Sequence, residues 1–398
     1  MFQPLKGMRV VDLSQVLAGP FATYQMALLG AEVIKIEKPG EGDWTRAGVK
    51  VSDTAPDGVS LTYIAHNAGK KSVAVDLKVP EGLEAVRTLI RSADVLVENF
   101  KPGVAERLGL GFDAVKALKP DIVYCSISAF GQNGEMSARP AYDHVIQGMC
   151  GIMLTTGTPE AGPTKVGAPY IDYATGMNAA MAVMAGLLEV RRTGEAQRLD
   201  VAMLDTALTL MTALVCTQQS TGESPGQSGN EAWSGSPTSG AFQTADGVLM
   251  LAANNDAQRS RLFPAIGRGD ILGDPRFSAP AAMRDNAPAL RQILAETFAT
   301  APARHWEDVL NAVAVPAAMV RRLDQTMAEP HLAERALTTP HPVAGAHVHA
   351  PGLAFMAGGA RPQPQISDSA LGADTETVLK AAGLDIDALR ASRAIPTD

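Results

Sequence analysis

Two aspartates, Asp172 and Asp143, stand at the start of stretches with helical spacing, where a carboxylate fits either chemistry or a structural role. Asp172 directly precedes the pattern of residues 173–192, and Asp143 lies in the first turn of the pattern of residues 142–154. A carboxylate there lies beside the positive end of the helix dipole and beside N–H groups that could hold an oxyanion. The same positions fit an N-cap at Asp172 and a structural acid at Asp143, so the pattern leaves both roles open.

Five basic residues have the spacing of an anion-binding site. They follow successive predicted strands, and they are Lys38, Lys71, Lys78, Lys101 and Arg107. Loops at the strand ends of doubly wound sheets form the crevice that binds ligands, although each of these cations also fits a solvated surface position. The whole chain carries 34 Lys and Arg against 42 Asp and Glu, a net charge of −8, which argues against nucleic acid as a partner. A net charge averages over the surface, so a small anionic ligand in a local basic pocket is compatible with it.

Several common site motifs are missing from the sequence. Only Gly19 stands where a dinucleotide-binding loop needs three glycines, although Glu37 lies about where a ribose-binding acid would. The phosphate-binding loop, the serine-hydrolase elbow and the His-Glu-x-x-His motif are also missing. His347 and His349 have no third ligand nearby in the sequence, so no metal site is predicted.

The cysteines and the apolar segments bear on the compartment. Cys125, Cys150 and Cys216 are odd in number and far apart, which favours a reducing compartment. The first 11 residues lack the pattern of a signal peptide. The longest uncharged apolar stretch, residues 173–188, has 16 residues, fewer than the roughly 20 that cross a bilayer. We therefore expect a cytoplasmic protein without a membrane partner.

Strands and helices alternate along the first half of the chain. The predicted strands are residues 8–13, 32–37, 72–76, 94–98, 122–126 and 198–203, and the predicted helices are 21–29, 80–92, 103–108, 113–118, 142–154, 173–192 and 205–219. Pro20 before the first helix and Gly30 after it are typical helix boundaries. The alternation predicts an α/β fold with a Rossmann-like parallel sheet covered on both faces.

The composition changes between residues 221 and 240, where Gly, Ser, Pro, Glu and Asn dominate. This stretch predicts a boundary between a large domain and a smaller α+β domain at residues 225–330. The tail contains one predicted helix, residues 375–389, which is too small to stand alone. We therefore expect a discontinuous large domain that consists of residues 1–220 together with 335–398.

Six ordered motifs resemble one known family. They are Leu17-Ala-Gly-Pro20, residues 30–43 with Arg46, residues 67–78, residues 97–103 with Arg107, Arg139-Pro-Ala-Tyr-Asp143, and residues 171–176 followed by residues 192–197. In this order they resemble the class III CoA-transferases, which include formyl-, carnitine- and succinyl-CoA transferases and the related 2-methylacyl-CoA racemases. The resemblance covers residues 5–389, being dense up to Asp205 and thin between 222 and 351.

The resemblance implies a site and a reaction. Asp172 is then the nucleophile, which attacks an acyl-CoA to give a mixed anhydride and then an aspartyl-CoA thioester, and Asp143 is an acid beside it that orders intermediates or tunes Asp172 by like-charge repulsion. The implied coenzyme A site consists of Leu17, Ala18, Lys38, Lys71, Val75, Asp76, Lys78, Asn99, Phe100, Lys101, Arg107 and Tyr142. Coenzyme A and its acyl thioester are substrates here, no prosthetic group is required, and an interlocked homodimer is expected.

Departures from the family pattern bear on the reaction and on the acceptor acid. The racemases carry a His at the position of Tyr142, so acyl-CoA racemisation or isomerisation is the less favoured alternative, and a non-catalytic CoA-binding protein is a third. Leu17 replaces the Gln of formyl-CoA transferases, which argues against oxalate. A small dicarboxylic acid such as succinate fits, with Arg46 or Arg139 as a candidate clamp for its distal carboxylate. His144 is expected to pack inside the protein or to join a polar network.

Overall fold

The computed structural model describes residues 2–47, 58–232, 235–343, 346–363 and 370–397. Tertiary contacts divide the chain into two compact units. The first contains Met1–Ile152, Val166–Glu223 and His331–Asp398, and the second contains Met153–Lys165 and Ser224–Pro330. The segment Met153–Lys165 thus belongs to the second unit, whereas the sequence pattern places it with the first.

The first unit is built on a six-stranded sheet. Its strands are β1 (Arg9–Asp12), β2 (Glu32–Glu37), β3 (Lys71–Ala74), β4 (Val95–Glu98), β5 (Val123–Ser128) and β6 (Gln197–Ala202). They lie in the order β3-β2-β1-β4-β5-β6, and every neighbouring pair is parallel. This is the doubly wound order, in which the strand sequence reverses between β1 and β4. The predicted α/β fold with a Rossmann-like parallel sheet is confirmed.

Nine α-helices connect or follow these strands as far as Thr221 in the part of the chain that the structure describes. They are α1 (Ala18–Leu28), α2 (Leu61–Asn67), α3 (Pro80–Arg91), α4 (Val104–Arg107), α5 (Phe112–Leu118), α6 (Asp143–Cys150), α7 (Tyr170–Thr193), α8 (Met203–Leu210) and α9 (Thr212–Thr221). The predicted single helix at residues 205–219 is wrong, because Met211 has a non-helical backbone and separates α8 from α9. Helix α1 begins before Pro20, which occupies its third position.

The second unit combines a small sheet with helices. Strands β7 (Ser239–Gln243), β8 (Val248–Ala252) and β9 (Ala317–Met319) form an antiparallel sheet, and α10 (Asp256–Ala265), α11 (Pro280–Asp285), α12 (Ala287–Phe298), α13 (Ala303–Ala312) and α14 (Leu323–Met327) complete it. Its core includes Phe263, Phe298 and Trp306. The indole N–H of Trp306 donates to the Phe298 carbonyl at 2.9 Å, so this buried polar group is satisfied.

The chain re-enters the first unit in α15 (Pro330–Glu334), followed by the hairpin of β10 (Thr338–Val343) and β11 (Ala346–Pro351) and by α16 (Thr375–Ala381) and α17 (Ile386–Ala391). The tail therefore contains two helices instead of the one predicted. It also covers the outer edge of β3. The Ser72 N–H donates to Asp374 Oδ2 at 2.9 Å, and the Ala74 N–H donates to Thr375 Oγ1 at 2.9 Å.

Both faces of the parallel sheet are buried. On one face, Val11 and Ile34 pack with α3, α5, α16 and α17, and on the other, Val10 and Val33 pack with α1 and α7. This alternation follows from the two-residue period of a strand, which sends neighbouring side chains to opposite faces. None of the helices in the described ranges combines the length and apolar character that crossing a bilayer requires.

Candidate active site

A cavity of about 290 Å³ opens where the strand order of the first unit reverses. Residues from the loops after β1, β4 and β5 line it, together with Asp172 of α7 and Met203 of α8. Six residues of the coenzyme A site implied by the family resemblance meet here: Leu17, Ala18, Asn99, Phe100, Lys101 and Tyr142. The structure therefore brings the candidate nucleophile and half of the predicted binding residues to one place.

The loop after β1 forms one wall of the cavity in a strained conformation. Val16 has a φ of +74°, a left-handed geometry that costs a β-branched residue about 1 kcal/mol or more. Its N–H donates to the Asp43 carboxylate, at 3.1 Å to Oδ2. Gln15 and Asn99 exchange two hydrogen bonds of 2.9 and 2.8 Å. Asn99 thus fixes this wall in addition to lining the cavity.

Two buried ion pairs that the sequence pattern did not predict lie beneath this loop. Lys70 Nζ contacts Asp12 Oδ2 at 3.0 Å, and Lys35 Nζ contacts Asp43 Oδ2 at 3.1 Å. Lys35 also donates to the Ser14 carbonyl at 2.7 Å. The pair of Lys35 could have been expected from the sequence. Lys35 stands in the middle of the apolar strand β2, and a charge on a buried strand needs a partner.

The pKa values of this region reflect both burial and partners. Burial opposes ionisation of Asp12, but Lys70, Lys35 and two hydroxyl donors outweigh it and lower the pKa of this carboxyl. Burial lowers the pKa of Lys70 to about 8, although Asp12 acts in the opposite direction. Both groups are therefore charged at neutral pH, and they support the cavity wall without lining it.

Arg46 is held by another buried carboxylate. Its guanidinium makes two hydrogen bonds to Glu37, at 2.8 and 2.7 Å, and lies 3.8 Å from the centre of the Tyr63 ring. Burial opposes the ionisation of Glu37, but the hydrogen bonds and charge of Arg46 outweigh it and lower the pKa of Glu37 to about 2. Arg46 is thus engaged in a structural pair. Arg139, the other candidate clamp, is exposed and lines the cavity beside Asp172.

Asp172 is the third residue of α7, not the residue before the helix, because α7 begins at Tyr170. In the described part of the chain, its carboxyl oxygens have no hydrogen-bond donor and no cation in contact. Burial, with a contribution from the charge of Asp143, raises the pKa of Asp172 to about 7. An aspartate with this pKa is more basic, and as an anion more nucleophilic, than an ordinary surface aspartate.

Asp143 accepts hydrogen bonds from backbone N–H groups in the first turn of α7. Its Oδ2 accepts the N–H of Ile171 at 2.8 Å and the N–H of Asp172 at 3.2 Å. The expectation of free N–H groups beside Asp172 is therefore wrong for these two donors. Asp143 is buried and is not among the residues that line the cavity, so it acts on Asp172 through the helix and through its charge.

The residues next to these aspartates have different surroundings. Tyr142 is exposed and stacks on His144, with ring centres 6.4 Å apart. His144 is itself exposed, so the expectation of a packed or networked histidine is wrong. Tyr173 packs edge-on against Phe21, and its hydroxyl lies 3.1 Å from Nε2 of the buried His66. Burial lowers the pKa of His66 to about 4, so this histidine is neutral at neutral pH.

Six residues of the implied coenzyme A site lie outside the cavity wall. Lys38, Lys78 and Arg107 are exposed and follow β2, β3 and β4. Val75 is a core side chain, and Asp76 accepts the N–H of Lys78 at 2.9 Å. These five lie on the carboxyl side of the sheet.

Lys71 is the exception among them. It is the first residue of β3 and pairs with Glu32, the first residue of β2, at 2.5 Å. It therefore lies at the amino ends of these strands, and its prediction as a residue after a strand end is wrong.

No group of three or more His, Cys, Asp or Glu residues that could hold a metal occurs within the described ranges.

Comparisons with known proteins agree with this arrangement. The sequence profile of CoA-transferase family III matches residues 5–375. The chain is 37% identical over 337 residues to a succinate–glutarate CoA-transferase of Agrobacterium fabrum, which covers 84% of each chain. It is 37% identical over 316 residues to an acetyl-CoA:oxalate CoA-transferase of Acetobacter aceti, covering 79% of each. The crystal structure of a CAIB/BAIF family protein from Brucella suis superposes with a TM-score of 0.86 at 30% identity, over 96% of this chain and 100% of that one.

Proposed function

The chain belongs to CoA-transferase family III and is a CoA-transferase, and from this premise we propose that Asp172 carries coenzyme A from an acyl-CoA to a short dicarboxylic acid. The observation that carries the proposal is the surroundings of Asp172. It is the acidic residue in the wall of the cavity, and burial without a neutralising cation raises its pKa to about 7. A nucleophilic carboxylate needs these conditions, because a cation in contact would lower its basicity.

The proposed reaction proceeds through two covalent states of Asp172. Its carboxylate attacks the thioester carbon of the donor, the C–S bond breaks, and a mixed anhydride and the CoA thiolate form. The thiolate then attacks the aspartyl carbonyl, the donor acid leaves as a carboxylate, and an aspartyl-CoA thioester results. The acceptor carboxylate attacks this thioester, and the released thiolate attacks the acceptor's carbonyl to give the new acyl-CoA and free Asp172.

The charges around the cavity support the binding of coenzyme A. Lys101 lines the cavity, and Lys38, Lys78 and Arg107 are exposed on neighbouring loops of the carboxyl edge. A chain with a net charge of −8 attracts a phosphate-bearing substrate only through such a local group of cations. We assign the nucleotide phosphates to these four side chains and the thioester to the cavity.

Arg139 is the cation best placed to select a dicarboxylic acceptor. It shares the cavity wall with Asp172 and has no ion pair in the part of the chain that the structure describes, whereas Arg46 is bound to Glu37. A guanidinium binds a carboxylate through two parallel hydrogen bonds, which favours an acid with a second carboxylate over a monocarboxylic acid. The relative from Agrobacterium fabrum is named for succinate and glutarate, in agreement with this proposal.

We also propose that the protein is a homodimer. Three residues along one side of α7, Met177, Met181 and Leu188, are 54%, 60% and 66% exposed. Contiguous exposed apolar side chains of this size are typical of an interface. Light scattering after size-exclusion chromatography tests this, and Met181→Glu with Leu188→Glu should give a monomer.

A cytoplasmic location is supported by three unpaired cysteines, Cys125, Cys150 and Cys216, since oxidising compartments favour disulfides.

The nucleophile is tested by exchange and by trapping. Asp172→Asn should lower exchange of labelled acid into acyl-CoA by at least about a thousandfold, because the covalent route is lost. Asp387→Asn, which changes an exposed acid on α17, is the matched control and should retain full activity. Acyl-CoA with hydroxylamine should leave a hydroxamate on Asp172, detectable in its tryptic peptide. Full exchange by Asp172→Asn would contradict the proposal.

A screen of acceptor acids separates the remaining alternatives. One acyl-CoA donor with succinate, glutarate, oxalate and matching monocarboxylic acids should give transfer to a dicarboxylic acid, detected as new acyl-CoA by mass spectrometry. Deuterium uptake at the α-carbon without any acceptor would indicate isomerisation. Binding of coenzyme A without any exchange would indicate a non-catalytic protein.

A further inference from the structure

Gln147 is a fully buried polar residue of α6 that lies outside the cavity wall. Its Nε2 donates to Asp143 Oδ1 at 2.5 Å, and its Oε1 accepts the Val166 N–H at 2.8 Å. The orientation of this amide is fixed by chemistry, because a carboxylate accepts and a backbone N–H donates. The flipped amide would place oxygen against oxygen and nitrogen against nitrogen.

The hydrogen bonds continue from Gln147 to the nucleophile. One oxygen of Asp143 accepts Gln147, and the other accepts the N–H groups of Ile171 and Asp172 at 2.8 and 3.2 Å. Asp143 and Gln147 are four residues apart, so they lie on the same face of α6. The Asp143 carboxylate is therefore held from both sides, by the N-terminal N–H groups of α7 and by the side-chain amide of Gln147.

We propose that Gln147 is a positioning residue: it holds the Asp143 carboxylate against the first turn of α7 and thereby fixes the negative charge that Asp172 experiences. The proposal rests on the proposed function, because it takes Asp172 as the nucleophile. Among the residues that the structure describes, Gln147 has no hydrogen bond to Asp172 and does not line the cavity, so its effect on the reaction passes through Asp143.

The other charged or titratable groups around Asp172 do not compensate for Asp143. Besides Asp143, those that face Asp172 or share its cavity are Tyr142 and Arg139 before α6, Lys101 after β4, Tyr173 of α7 and His66 of α2. His66 is neutral because burial lowers its pKa to about 4. Asp143 is the charged neighbour that contributes to the raised pKa of Asp172, after burial itself.

The test is the pH profile of exchange by Gln147→Met, which keeps the volume and removes the side-chain hydrogen bonds to Asp143 and to the backbone of Val166. Without the amide, the Asp143 carboxylate is held by the N–H groups of α7 alone, so it spends less time against α7 and the pKa of Asp172 falls towards its ordinary value. The acidic limb of kcat should move to lower pH by about one unit. The plateau kcat should fall about tenfold, while KM for acyl-CoA stays within about twofold, because Gln147 does not touch the substrate.

Two controls separate positioning from damage to the fold. Ile146→Val removes a buried methyl group from the same turn of α6 and should lower thermal stability while leaving the acidic limb in place. Asp143→Asn removes the charge itself and should move the limb in the same direction as Gln147→Met. In the double variant, Gln147→Met should move it no further, because its effect requires the Asp143 charge.

The proposal would be overturned if the acidic limb of the kcat profile stayed in place in a folded Gln147→Met variant. It would also be overturned if the shifts caused by Gln147→Met and Asp143→Asn added up in the double variant. If Gln147→Met does not fold, Gln147→Asn serves, since its side chain is one methylene too short to keep both bonds; a smaller shift in the same direction supports the proposal, and no shift overturns it. Asp172→Asn separates the two proposals. Exchange retained by that variant refutes the nucleophile, whereas exchange abolished there with an unmoved limb in Gln147→Met refutes the positioning role alone.

Discussion

The buried acids beneath the loop after β1 and the acid at the cavity wall differ in their ionisation, although burial raises the pKa in both regions. Asp12 and Glu37 are surrounded by cations and hydrogen-bond donors, and their pKa values are lowered, that of Glu37 to about 2. Asp172 has no cation in contact within the described ranges, and its pKa is raised to about 7. Cations in contact therefore reverse the effect of burial on Asp12 and Glu37, and Asp172, which lacks them in these ranges, lines the cavity with a raised pKa.

The largest effect on stability is expected from Lys70→Met. This variant leaves the Asp12 carboxylate buried without its ammonium partner, which should cost about 3 to 5 kcal/mol of unfolding free energy in urea titrations. Lys71→Met is the matched control on the adjacent residue. It removes a partly exposed pair with Glu32 and should cost less than about 1 kcal/mol. Equal losses would show that the buried pair is not distinct from the surface pair.

In contrast to Lys70→Met, Asp172→Asn should stabilise the protein at pH 8. The pKa of Asp172 is about 7 in the folded state against 3.8 when unperturbed, so the unfolded state ionises first as pH rises. Folding stability is thus lost between about pH 4 and pH 7, and removing the carboxyl should recover about 2 kcal/mol at pH 8, allowing for its partial exposure. The gain should shrink at pH 5. Asp12→Asn should be destabilising at both pH values, because it removes the carboxylate charge that compensates the buried ammonium of Lys70.

The activity profile provides a second test of the same carboxyl. Transfer requires ionised Asp172, so exchange should rise with pH around a midpoint near 7, the pKa of this group. Initial rates between pH 5.5 and 8.5, at saturating acyl-CoA, would measure it. A midpoint near 4 would mean that Asp172 ionises like an ordinary, unperturbed aspartate, in contradiction of the raised pKa.

Arg139→Gln should change acceptor binding without changing stability. We expect KM for a dicarboxylic acid to rise about tenfold, the loss of roughly 1.4 kcal/mol of charge-assisted binding. The monocarboxylic acid of the same chain length serves as the internal control, and its kcat/KM should not change. An equal loss for both acids would contradict a clamp on the distal carboxylate.

The smallest effect on substrate binding is expected from Lys38→Met, which removes an exposed ion pair with Glu41. The unfolding free energy should change by no more than about 0.5 kcal/mol. The KM for acyl-CoA should nevertheless rise about threefold and lose part of its salt dependence, because a phosphate-binding cation is gone. An unchanged KM at low salt would remove Lys38 from the binding site.

The strands of the sheet could be predicted from the sequence more accurately than the partners of the charged residues. Apolar strands between helices identify a doubly wound fold, and β2 was predicted with its observed bounds, Glu32–Glu37. The partners of Lys35, Lys70 and Arg46 could not be predicted, because each pair joins residues that only the fold brings together. Lys71 was wrongly grouped with the residues that follow strands: it directly precedes the predicted strand 72–76 and is the first residue of the observed β3, so it lies at the amino end of the sheet in both cases.

The same limit applies to the first turn of α7. Local pattern favours an aspartate as the cap of its own helix, so the helix was predicted to begin after Asp172. The cap is instead Asp143, 28 residues before the first N–H that it accepts, and the helix begins at Tyr170. Sequence motifs identified both aspartates but could not show which one faces the cavity.

The cover on β3 has a consequence for the synthesis of the protein. Asp374 and Thr375, which satisfy the outer N–H groups of this edge strand, follow their partners by 302 and 301 residues. At translation rates of about 5 to 20 residues per second, the strand edge waits roughly 15 to 60 s for these partners. During that interval the nascent chain presents an open edge that other strands can join. Mutations in residues 370–375 should therefore reduce soluble yield more than they reduce the stability of the finished protein.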